Sequence, residues 1–247
     1  MKINGVRFEP VSGSAMRALI EIALLAAVSF YAPPYLINEA QKALELSPEA
    51  LDVFITFANP TIVLITAWLL LVAHREKPAD IGLRKPKSWS WALIYGLVLA
   101  TLLFGFVYMT EKLGFHRELS HFDFIKDNLP ATLMLVLFAF YGAGFYEEVV
   151  FRGFILDRFL KVFGANKTGW VLAALAQGVI FGLGHFAQGV NGMLLTGALG
   201  FVFGLIFAFG GWNLWPLIIG HGLYDASRFV YVYVMLTYYG VPSASAL

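Results

Sequence analysis

No cysteine occurs in the chain, which excludes a disulfide framework, a thiol nucleophile and a cysteine-ligated zinc site. Charge is scarce as well. Asp, Glu, Lys and Arg make up 13% of the 247 residues, about half the share usual in soluble domains. A net charge of +1 with few basic clusters argues against nucleic acid as a partner. Three hydrolase signatures are also missing: His-Glu-x-x-His, Gly-x-Ser-x-Gly and Gly-x-Gly-Asp. With no internal repeat, low-complexity tract or linker, residues 1–247 are expected to form a single domain.

What fills the chain instead is apolar, at 59% of residues. Long runs lie near 18–38, 53–73, 89–109, 131–156, 169–186, 193–211 and 213–236. Most are too long for strands, and they lack the alternation of a membrane barrel. They predict an all-α, polytopic transmembrane bundle of about seven helices, an eighth also being compatible. A span takes roughly 20 residues, so seven use about 140 and any chemistry must sit within the bilayer. The first run follows Lys2, Arg7 and Arg17 as a signal peptide would, but Glu21 interrupts it and no small-residue cleavage site follows, so it is read as a mature helix. Pro33 and Pro34 are expected to end that helix, and Pro60 to kink or break the second. The cations before the first span, with Arg75, Lys77, Arg84, Lys85 and Lys87 after the second, point to a cytoplasmic N-terminus. Arg158, Lys161 and Lys167 are read as the fourth connection, on the same side. The stretch 110–130, with Lys112, Arg117 and Lys126, reads as a surface segment.

Ionisable groups inside spans are costly, so each is a functional candidate. Glu147-Glu148-x-x-x-Arg152 falls late in the fourth run. Glu148 and Arg152 are four apart and share a helix face, whereas Glu147 points about 100° away and is left free. The alternative is that both acids pair with Arg152 or with cations at the membrane edge. His185 follows Phe181 by four residues at the end of the fifth run, and His221 precedes Asp225 by one turn in the seventh. A lone histidine on an apolar helix is ordinarily structural, and Asp225 has Arg228 three residues on as a candidate ion-pair partner. Glu21 has no evident role and is read as an interior or interface residue.

Hairpin geometry tests whether these groups meet. The midpoint of Glu147 and His185 is Asn166, inside the turn sequence Gly164-Ala165-Asn166-Lys167-Thr168. Glu147 lies ten residues before Asp157-Arg158, read as the charged edge, hence about 15 Å deep. Through further turns near 189–192 and 210–213, the same level recurs near residue 225, so all four groups can share a layer. Gly182, Gly184, Gly189, Gly192, Gly197 and Gly200 would let these helices approach closely. A glutamate, two histidines and an aspartate can activate water and stabilise an oxyanion, or bind a divalent metal such as zinc.

The ordered set Glu147-Glu148-x-x-x-Arg152, Phe181-x-x-x-His185 and His221-x-x-x-Asp225 resembles the CPBP intramembrane glutamic proteases, which include the type II CAAX prenyl endopeptidases and bacterial bacteriocin-processing and immunity relatives. The resemblance covers roughly 131–230. It implies an intramembrane endopeptidase in which Glu147 activates water, His185 assists, and His221 with Asp225 forms the oxyanion side, while Glu148, Arg152 and Phe181 support. It also implies that no cofactor is needed, zinc being less favoured. Prenyl-processing members often have Asn in place of Asp225; here the residue either orients His221 or is itself a neutral donor. Residues 131–236 would be the catalytic core, 1–130 accessory helices, and the bacterial relatives imply a prokaryotic inner membrane. The partners expected are the bilayer and a membrane-associated peptide or protein substrate. Competing readings are a catalytically silent immunity or scaffold protein of the same family and a proton-coupled transporter.

Overall fold

The computed structural model describes residues 2–3, 6–7, 14–44, 48–117 and 120–241. A two-residue antiparallel pair, Lys2–Ile3 with Val6–Arg7, precedes seven long helices: α1 (Ser14–Leu44), α2 (Pro48–Ala73), α3 (Trp89–Lys112), α4 (Leu129–Phe163), α5 (Lys167–Gly184), α6 (Gly189–Phe209) and α7 (Trp215–Tyr238). The protein is thus an all-α polytopic bundle. The first six are long and apolar enough to cross a membrane; α7 carries His221, Asp225 and Arg228 in its body. The outward faces expose large apolar side chains such as Trp68, Leu69, Leu102 and Leu137, the surface a lipid solvent would cover.

Prolines do not end helices here. α1 runs through Pro33 and Pro34 to Leu44, and α2 through Pro60, correcting the expected stop. Membrane helices tolerate proline, and beside Pro60 the Thr61 hydroxyl donates to the Phe57 carbonyl at 2.6 Å. α4 starts conventionally, with the Asn128 side chain accepting from the Ala131 amide. It then widens, and residues 139–155 are wound as a π-helix, with bonds spanning five residues instead of four, a winding frequent at functional sites.

α7 is held between α3 and α4 at points where no side chain fits. A Cβ on Gly144 of α4 would stand 2.7 Å from the Ile218 carbonyl and 3.2 Å from the Gly222 Cα. α5 and α6 form a hairpin with equally close backbones: a Cβ on Gly182 would meet the Met193 carbonyl at 2.5 Å. Glycine therefore sets the helix spacing. The α4–α5 turn falls where expected, with the Asn166 side chain capping α5 at Gly169. The α5–α6 turn occupies 185–188, just before Gly189 rather than after it.

Two ends of the bundle follow. At one, the loop 74–88 lies against the α6–α7 turn: the Trp212 indole donates to Asp80 O at 2.8 Å, the Leu214 amide to Gly82 O at 3.1 Å, and the Asn213 side chain to Arg84 O at 3.0 Å. At the other, the Asn191 side chain donates to His116 O at 3.2 Å, joining α6 to the α3–α4 connection. That connection is not simply a surface segment: Ile125 is fully buried, and Glu111 and Arg117 are 8% exposed.

The reading of Arg158 as part of the fourth connection is also corrected, as is that of Lys161. Both residues lie inside α4, and Arg158 is 1% exposed. Its guanidinium meets Glu21 of α1 at 2.5 Å, Asp157 at 2.5 Å and Glu76 at 2.6 Å. Lys161 binds both Glu76 and Asp157, and His74 Nε2 lies 2.7 Å from Glu21. Glu21 thus does have partners, including Arg17 on its own helix at 3.5 Å. Partial burial pushes the Glu76 carboxyl up, but the hydrogen bond from Lys161 and the charges of Arg158 and Lys161 prevail and hold it below its ordinary value.

Candidate active site

The widened part of α4 presents both glutamates to α7. Glu148 is fully buried, and its Oε1 accepts from His221 Nδ1 at 2.7 Å while lying 3.1 Å from Arg152 Nη1. Sequence spacing gave the Arg152 contact but missed the histidine, because nothing in the spacing reports the angle between α4 and α7. The bond fixes the ring: with Nδ1 committed, Nε2 faces Glu147 Oε2 at 3.8 Å and Asp225 Oδ2 at 3.5 Å. Arg152 is held over the Phe181 ring at 4.2 Å and the Phe203 ring at 5.1 Å, a geometry that keeps a cation without further acids.

His185 caps the end of α5. Its Nδ1 lies 2.8 Å from Phe181 O, and since a carbonyl only accepts, Nδ1 donates and Nε2 is the free position. The imidazole also packs against Phe181, ring centroids 4.5 Å apart. Phe181 therefore supports both His185 and Arg152.

Glu147, His185, His221 and Asp225 line one cavity of about 80 Å³, room for a few water molecules. Glu147 Oε2 is buried with no hydrogen-bond partner among the described residues, a costly state unless water or substrate fills it. Asp225 is not paired as its spacing to Arg228 suggested. Arg228 turns instead to Glu111 of α3 at 3.8 Å, and Asp225 keeps to His221. No group of three or more histidine or acidic side chains among the described residues is arranged to hold a metal ion.

Neither the curated proteins nor the solved structures yield a match to this chain. Residues 129–227, which span α4 through most of α7 and hold every side chain of the Glu-His-Asp set, match the family model described as Type II CAAX prenyl endopeptidase Rce1-like.

Proposed function

We propose that the protein is an intramembrane endopeptidase that hydrolyses a peptide bond of a membrane-associated substrate, using a glutamate-activated water. The observation that carries this reading is the buried, unpartnered Glu147 Oε2 in a cavity shared with His185, His221 and Asp225. A water between Glu147 and His185 Nε2 gives a proton to the Glu147 carboxylate as its oxygen attacks the carbonyl carbon. The carbonyl electrons move onto oxygen, and the resulting oxyanion accepts from His221 Nε2–H, whose direction is set by Glu148 and whose charge Asp225 complements. Glu147 then returns its proton to the leaving amine as the carbon–nitrogen bond breaks.

The reading is metal-independent. Activity lost on chelation and restored by zinc alone would reverse it. The cation distribution favours a cytoplasmic N-terminus, and the membrane of this reading is a prokaryotic inner membrane. The deciding experiment is comparative proteomics of membranes containing the intact protein or Glu147→Gln. A peptide released only by the former is the expected result; identical peptide sets from equally abundant proteins would instead favour a silent binding or immunity role.

A further inference from the structure

The two ends of the bundle differ in charge. At one, Arg17 of α1 reaches His74 at 3.4 Å, the loop 74–88 carries Arg75, Lys77, Arg84, Lys85 and Lys87, Lys161 of α4 binds Glu76 of that loop, and Lys167 opens α5. At the other stand Lys42, Lys112, Arg117 and Lys126, with Lys42 bound to Glu39 at 2.9 Å and Arg117 to Glu111 at 3.4 Å. Lysine and arginine in short loops collect on the cytoplasmic side of a membrane.

The cavity around Glu147 is closed toward the basic end. Between it and the loop 74–88 lie Phe154, Phe207, Trp212, Leu214 and Leu217, each at most 2% exposed. A Cβ on Gly82 would strike the Phe207 ring, and one on Gly153 would stand 3.0 Å from Ile81 O, so the loop is packed hard against this floor. Toward the other end the cavity is lined by Arg117 of the α3–α4 connection and by His185 and Gln188 of the α5–α6 turn. The Gln188 backbone amide donates to His185 O at 2.9 Å, which holds both side chains on one turn, and Gln188 Oε1 is buried with no hydrogen-bond partner among the described residues. Leu183, Phe186 and Val190 beside the turn are 62%, 64% and 66% exposed, so among the described residues nothing roofs it.

We propose that the cavity opens to the extracytoplasmic face and that its substrates are peptide segments presented there. The basic loop 74–88 marks the cytoplasmic end, and the packed floor separates Glu147 from it. Water and substrate therefore enter past Arg117, His185 and Gln188. The side of entry stands on packing and charge, whereas the substrate class rests on the protease reading above: the scissile segment belongs to a chain that has crossed the membrane, or been anchored in its outer leaflet, before cleavage. Translocation is the reaction that must supply it. A tail confined to the cytoplasm meets the floor and is not a substrate.

The chain has no cysteine, so single thiols report their own side of the membrane. Ala79→Cys in the basic loop, Ala187→Cys on the α5–α6 turn and Gln188→Cys at the cavity are expressed separately in the full chain, in sealed bacterial spheroplasts, and treated with a membrane-impermeant maleimide before and after permeabilisation. Ala79 and Ala187 are exposed, so their replacement spares the fold if Gln188→Cys disturbs it. Ala187→Cys and Gln188→Cys are expected to react in sealed spheroplasts, and Ala79→Cys only once they are permeabilised. Reaction of the two turn thiols only after permeabilisation, reaction of neither at any stage, or reaction of Ala79→Cys in sealed spheroplasts overturns the proposal. A second measurement addresses the substrate: peptides released by the parent but not by Glu147→Gln are expected outside the cytoplasm, and their recovery from the cytosol overturns the substrate class. If parent and Glu147→Gln release the same peptides, the protease reading falls, while the labelling still fixes the side on which the cavity opens.

Discussion

Two clusters of buried charge sit in this bundle, and they are built to opposite ends. Around Arg158, every acid has a cation within direct reach: Glu21, Asp157 and Glu76 converge on one guanidinium, with Lys161 and His74 closing the remaining sides. Around Glu147, pairing is left incomplete: its Oε2 has no hydrogen bond, and its nearest histidine nitrogen is 3.8 Å away. The first arrangement ties α1, the α2–α3 loop and α4 together. The second keeps an unpartnered acid in reserve beside a cavity. A satisfied network holds helices in place, whereas an unsatisfied one leaves a group open to water or a ligand.

The largest expected effect follows from the reserve. Glu147→Gln should lower turnover by roughly 10² to 10⁴, the loss typical of a missing general base, with thermal unfolding in detergent near that of the parent; full turnover in a folded variant would remove Glu147 from the chemistry. Next come two substitutions that should cost similar stability for different reasons. Glu148→Ala leaves Arg152 buried without its acid, and Arg158→Ala removes the cation that three carboxylates share; breaking a buried pair costs about 3–5 kcal/mol in either place. Only Glu148→Ala should also abolish turnover of the protein that remains folded, because it frees the His221 ring, and equal specific activities for the two would erase the distinction between the clusters. Asp225→Asn should reduce turnover about tenfold, since an amide does not complement a charged imidazole, with Asp225→Ala falling further; an Asn variant indistinguishable from the parent at every pH would make Asp225 a neutral donor instead. The smallest effect belongs to Glu76. Its folded pKa lies below its ordinary 4.5, so its contribution is complete above that value and is lost as pH falls through the folded one. Glu76→Gln should therefore flatten the acid side of the stability profile, and curves that run parallel from pH 6 to pH 3 would contradict this.

Which of these features could be read in the sequence depends on how local they are. Seven helices, the Glu148–Arg152 pair and the turn at Asn166 follow from periodicity, spacing and capping residues, and counting along the hairpins brought Glu147, His185, His221 and Asp225 to one level. Contacts decided by the angle between helices were not legible. Arg228 sits three residues from Asp225 and invites that pairing, yet a partner on α3 prevails. Arg158 read as a loop charge because its acids stand 82 and 137 positions away, a distance at which sequence carries no pairing signal. The π-wound stretch changes the angular step between residues, so the 100° argument separated Glu147 from Glu148 without giving the Glu148–His221 bond.

The clamp of the loop 74–88 under the α6–α7 turn bears on how the protein is made. Asp80, Gly82 and Arg84 emerge from the ribosome long before Trp212, Asn213 and Leu214, the residues that bond to them. Until the last hairpin inserts, those carbonyls lack these three donors. The helix that completes the clamp is also the one that delivers His221 and Asp225. Biosynthesis therefore couples closure of the bundle to arrival of two of the four acid and histidine side chains that line the cavity, and a nascent chain stalled before α7 lacks both the latch and that half of the cavity wall.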